Sequence, residues 1–114
     1  MAANEQLANR VREMLAEHTE QITEKKMFGG ICFMVDDKMC VAVSKDHLMV
    51  RLDPAIYDIA VEENGCRPMI LGNREMKGYV RVDEEVLHTR KQLAHWIGRG
   101  LAYNQFAKAS KKRK

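Results

Sequence analysis

Aromatic residues are scarce in this chain. They make up 6% of its 114 residues, and only one is a tryptophan. The core must therefore come from aliphatic side chains and from eight methionines, whose flexible thioethers fill irregular space without fixing one sharp packing. Cysteine is limited to Cys32, Cys40 and Cys66. Their number is odd and none belongs to a Cys-x-x-Cys pair, which argues against a disulfide framework and fits reduced thiols in a cytoplasmic protein. No apolar run approaches the ~20 residues needed to span a bilayer. The opening stretch "MAANEQLANR" has neither the basic nor the apolar segment of a secretory leader.

Positive charge is also missing from most of the chain, although the formal net charge is +3. Five of the nineteen basic residues fall in the last seven positions, "KASKKRK", which hold no acid. The other fourteen face all sixteen acidic residues, so the body is slightly acidic and the positive excess belongs to the tail. A basic nucleic-acid-binding domain is thus not what the overall charge implies. The length suits one domain, which we place at residues 1–107, with 108–114 a basic disordered tail.

Periodicity supplies the elements. Leu7, Val11, Met14 and Leu15 recur on one face of a helix over Asn4–His18, with Asn4 as N-cap. The run from Gly30 to Leu52 reads as three antiparallel strands, Gly30–Val35, Met39–Ser44 and Leu48–Leu52, joined by tight turns. A two-residue Asp36-Asp37 turn places Val35 opposite Lys38 and Phe33 opposite Cys40. "LDPAIYDIAVEENG" predicts a short helix with Asp53 as N-cap, Pro54 at its first position and Gly65 just past its end. Ile56, Ile59 and Ala60 are its expected inward residues. "CRPMIL" reads as an edge strand because of Pro68, and "MKGYVRVD" as the next strand. Thr89 and Gln92 form a capping box that opens the last helix. Its buried stripe is expected to be Leu93, Trp96, Ile97 and Leu101, with Ala94 a further candidate, and Gly98 and Gly100 within it. The order α-β-β-β-α-β-β-α makes an α+β domain of two layers, a mainly antiparallel five-stranded sheet with flanking helices.

Motifs that carry chemistry are few. Gly29 and Gly30 in "MFGG" open onto a strand, whereas phosphate loops open onto a helix N-terminus. A turn or bulge at a strand entrance is the expected use of these glycines. His18, His47, His88 and His95 lack zinc-site spacing, and Ser44 and Ser110 lack a nucleophile elbow. Cys66, beside Arg67, is the best of three weak candidates for a reactive thiol. "DEE" at Asp83–Glu85 reads as a helix-start preference or a solvated turn. "GNREMKG" places Arg74 and Lys77 on a hairpin loop with Arg67 and Arg81 nearby. With the tail residues Lys108, Lys111, Lys112, Arg113 and Lys114, these form the candidate anion or nucleic-acid contacts.

Taken together, "KKMFGGICFMVDDKMCVAV", "LMVRLDP", "RPM", "MKGYVRV" and "LAHWIGRGLAYN" resemble the TfoX N-terminal domain family over roughly Gln21 to Asn104. Met27, Phe28, Gly29 and Gly30 match its signature. The resemblance implies a fold like that of secretion chaperones, in which pairing into homodimers is common. It also implies a bacterial competence-regulator-like role in transcription. It carries over no catalytic, cofactor-binding or metal-binding residue. Full-length regulators of this family have a second, C-terminal domain, whereas this sequence runs from its last helix into the basic tail. The expected function is a non-catalytic module that binds a protein partner, with no membrane involvement. Nucleic-acid binding through the tail is the alternative, and a small enzyme ranks last.

Overall fold

A computed structural model of the protein describes residues 5–27, 30–71 and 73–106. Helix α1 (Glu5–Ala16) precedes four strands: β1 (Ile22–Met27), β2 (Gly30–Val35), β3 (Lys38–Val43) and β4 (His47–Arg51). A 3-10 turn (Pro54–Ile56) leads into the short helix α2 (Tyr57–Ala60). Strands β5 (Cys66–Leu71) and β6 (Arg74–Asp83) follow, and a second 3-10 turn precedes helix α3 (Arg90–Asn104). All neighbouring strands are antiparallel, in the order β1-β2-β3-β4-β6-β5. The α+β class and the order of the other elements agree with the sequence reading. The sheet has six strands rather than five, because β1 was not expected. Among the described residues no helix is long and apolar enough to cross a membrane.

Strand β1, "ITEKKM", is polar because it lies at the sheet edge and only one of its sides pairs, with β2. Charged side chains on such an edge discourage pairing with a further strand. At the β2–β3 turn, Asp36 and Asp37 both have positive φ, 53° and 66°. That is the two-residue hairpin geometry whose twist matches the strands. Val35 pairs with Lys38 as expected, but Phe33 pairs with Val41 and not with Cys40. The register shifts between Phe33 and Met34, so Cys40 is the surplus residue of a bulge. Period-two alternation carries no mark of such an insertion.

All three helices contribute to one core against one face of the sheet. It gathers Leu7, Val11 and Leu15 of α1, Tyr57 of α2 and Leu93, Trp96 and Ile97 of α3. From the strands it takes Phe33, Val41, Val50 and Val80 among others. Gly100 lets α3 come close: a Cβ there would lie 3.2 Å from the Cys40 Sγ and 3.4 Å from the Cys40 carbonyl oxygen. The capping box forms as read, with the Thr89 hydroxyl accepting from the Gln92 amide and the Gln92 side chain accepting from the Thr89 amide.

Three details differ from the sequence reading. Ile59 is 66% exposed. The chain enters α2 through the 3-10 turn, which presents Tyr57 and Ala60 inward and leaves Ile56 half-buried. Gly65 has φ of +80° but stands beyond the end of α2, in the turn before β5. Ala94 and Gly98 lie on the exposed side of α3, and nothing is within 4 Å of a Cβ at Gly98. Asp53 does cap its turn, accepting from the Ala55 amide at 2.9 Å. The proposed cap at Asn4 lies outside the described residues.

Candidate functional site

Strand alternation gives the sheet a second face, and no described helix covers it. On β2, Cys32 and Met34 point away from the helices, and on β3 so do Met39 and Ala42. With Met49 of β4 they form a separate apolar cluster. Cys32 and Met34 are nearly buried there, their sulfur atoms 3.7 Å apart. Long unbranched methionines shield the small Cys32 and Ala42, a task stiffer β-branched side chains would not perform.

At one end of this face is a cavity of about 380 Å3. Its floor belongs to β3 and β4, with Met39, Ala42 and Met49. Its wall is the β5–β6 hairpin, which contributes Met69, Ile70 and Met76. The pairing of that hairpin jumps from Pro68↔Val80 to Ile70↔Glu75, so β6 carries surplus residues, among them Gly78 with φ of +94°. Such an irregularity bends the ladder. Ile70 is 58% exposed at the rim.

The polar groups of its lining are Ser44, His47, Tyr79 and Arg81. Asp46 carries two of them. Its Oδ1 is 3.0 Å from His47 Nδ1 and 3.8 Å from an Arg81 terminal nitrogen. The hydrogen bond with His47 holds the Asp46 carboxyl below its usual range, helped by the charges of His47 and Arg81 and opposed by burial. Arg67 donates to both oxygens of Asp83, its Nε at 3.3 Å to Oδ1 and 3.2 Å to Oδ2 and a terminal nitrogen at 2.9 Å to Oδ2. The Nε of Arg81 is buried and meets no hydrogen-bond acceptor.

Of the residues singled out from sequence, Gly30, Ser44, His47 and Arg81 line this cavity, while the candidate contacts Arg74 and Lys77 do not. Arg74 and Lys77 are in strand β6 rather than in a loop. Lys77 lies 4.0 Å from Asp58 and 5.6 Å from the centre of the Tyr57 ring. Arg67 and Arg81 face each other near the other end of the hairpin, each matched by an acid. Of the signature residues, the Met27 backbone pairs with Gly30, while Phe28 and Gly29 lie outside the described residues. Gly30 is required by contact: a Cβ there would sit 2.1 Å from the Val43 carbonyl oxygen. Lys108, Lys111, Lys112, Arg113 and Lys114 also lie outside the described residues.

All three cysteines are buried and free. Burial pushes the Cys40 thiol up to about 12 and Cys66 up to about 11, the latter aided by Glu63 and opposed by Arg99. Neither holds a thiolate at neutral pH, and the setting of Cys66 is not the electropositive one that activates a nucleophile. His18 approaches the Met14 carbonyl at the end of α1, and His95 bonds Glu63. No group of three or more His, Cys, Asp or Glu among the described residues is placed to hold a metal ion.

The sequence reading missed the methionine cavity. Its methionines come from four strands, and methionine at alternate strand positions is indistinguishable from ordinary core. Eight methionines against seven aromatic residues of all kinds were the available signal.

Comparison with protein families places this arrangement. The family model of the TfoX N-terminal domain matches residues 13–103 of the 114, so the chain belongs to the TfoX N-terminal domain family, which is associated with competence regulation. Comparison with curated proteins and with solved structures returned no match.

Proposed function

We propose that this TfoX N-terminal domain is a non-catalytic regulatory module that binds a protein partner through the methionine face of its sheet, in the cytoplasm and in the control of transcription. The observation that carries this reading is an apolar sheet face that no helix among the described residues covers, lined by adaptable side chains. Ile70 is exposed there and Met39, Met49, Met69 and Met76 are half-buried; apolar surface left accessible in this way marks interaction sites, and methionine-rich surfaces re-pack around their partners.

The test is genetic and uses the whole chain. Transcripts that change when the gene is deleted are compared with those of a strain carrying Met49→Glu and Met76→Glu. The double variant is expected to reproduce the deletion, while Ala94→Glu, on the exposed side of α3, behaves as wild type. Circular dichroism of the purified variants confirms folding. Wild-type transcripts from a folded double variant would remove the methionine face from the function.

The five basic residues of "KASKKRK" support a second reading, nucleic-acid binding through the tail. Fluorescence anisotropy with mixed duplex DNA and single-stranded RNA compares the whole chain with one ending at Ala107. If all five charges meet phosphates, log K falls against log salt with a slope of about −4 to −5, and the shortened chain does not bind. Absence of binding by either chain at moderate salt rejects this reading.

A further inference from the structure

We propose that the cavity between β3, β4 and the β5–β6 hairpin binds a small apolar ligand whose polar end is a neutral hydrogen-bond acceptor, such as an acyl amide or ester. This goes beyond the docking role above and does not depend on any protein partner.

Four observations converge on that ligand class. The cavity, about 380 Å3, falls within the size range of small-molecule sites. Its body is formed by Met39, Met49, Met69 and Met76, whose unbranched side chains adjust to a flexible chain. Ser44, His47 and Arg81 line one end of the cavity and Tyr79 stands further along β6, so the charged polar groups lie at one end, which would orient a ligand with one polar end. Arg81 lines the cavity with its side chain 42% exposed, and its Nε–H has no acceptor among the described residues; an unmet donor is a site where an incoming oxygen gains most once the side chain turns toward it.

The charges decide which oxygen. Asp46 already lies against His47 and Arg81, and Asp83 already receives both bonds of Arg67. A ligand carboxylate would enter beside Asp46 and compete with it for the same cation. A ligand ammonium would enter beside Arg81 and find the acids engaged. A neutral carbonyl accepts the Nε–H without burying another charge.

The experiment titrates the full-length protein, labelled with 13C at the methionine methyls, with octanamide, octanoate and octylammonium. These probes share a chain length and differ in the head group. The methyl signals of Met49, Met69 and Met76 are expected to shift saturably with octanamide, with a Kd at least tenfold below that for either charged probe. Arg81→Leu is expected to remove that preference without removing binding of the chain, and Met76→Trp, which fills the cavity, to abolish binding of all three. Equal or tighter binding of octanoate overturns the neutral-acceptor assignment. So does full retention of the octanamide preference in Arg81→Leu. No saturable shift with any probe overturns the site itself. Methyl shifts that follow protein concentration, with a doubled mass in light scattering, would assign the cavity to a second copy of the chain instead. Met49 and Met76 serve both tests, but ligand binding is read on the purified protein and the Arg81→Leu arm is absent from the transcript test, so the two readings fail separately.

Discussion

Phe33 and Met34 are neighbours on β2 and point to opposite faces of the sheet. Phe33 joins Val41, Val50 and Val80 under three helices, where side chains are stiff and fully enclosed. Met34 joins Cys32, Ala42, Met39 and Met49, where among the described residues other strand side chains provide the cover. Both faces are apolar, so hydrophobicity does not separate them. What differs is shape: the helix face uses branched and aromatic side chains that fix a single packing, and the other uses unbranched ones that tolerate many. Stability should therefore concentrate on the first face and adaptability on the second.

The largest effect that would break this contrast is on stability. Phe33→Ala is expected to cost about 3–5 kcal/mol in urea unfolding, as for other large core truncations. Met49→Ala, half-buried on the other face, should cost under about 1 kcal/mol, near the range of surface changes. Similar losses for the two would show that both faces are ordinary core. Next in size is Gly30→Val, whose Cβ would strike the Val43 carbonyl oxygen. Backbone shifts of this kind cost about 1–3 kcal/mol, and a lower melting temperature reads them out.

A smaller and sharper comparison lies within α3. Gly98→Ala meets open space and should gain the helix propensity of alanine, about 1 kcal/mol. Gly100→Ala gains the same propensity but presses on Cys40, so it should melt below Gly98→Ala. Equal melting temperatures would mean that the helix rides loosely on the sheet.

The smallest effect concerns the thiols. In native-state labelling Cys32, covered by side chains alone, should react before Cys40 and Cys66, which lie under helices. Cys40 and Cys66 are raised by burial to about 12 and about 11, above the ~8.5 of an unfolded thiol. Their contribution to stability is whole below the unfolded value and is lost as pH climbs from there through the folded values. Unfolding free energy should thus decline above about pH 9, and Cys66→Ala should flatten part of that slope. Labelling of Cys40 ahead of Cys32 would invert the picture of which face opens.

The fold was legible where one segment carries its own signals. The capping box at Thr89 and Gln92, the Asp53 cap and the Asp36-Asp37 turn are local chemistry, and all three form. Strand β1 was missed because Thr23, Glu24, Lys25 and Lys26 show no apolar alternation, and its pairing with β2 makes it a strand. Ile59 was misplaced because a helix entered through a 3-10 turn presents different residues inward. The candidate cavity was least legible, since Met49 and Met76 become neighbours only through the β4–β6 pairing and the bend of the hairpin.

Cys40 and Gly100 also govern how the chain assembles. They meet only when the β2–β3 hairpin has closed with its extra residue in place. A hairpin slipped by one position would turn the valines of β3 to the wrong face and offer Gly100 nothing to receive. Helix α3 therefore proofreads strand register: it seats only on a sheet whose pairing is already correct.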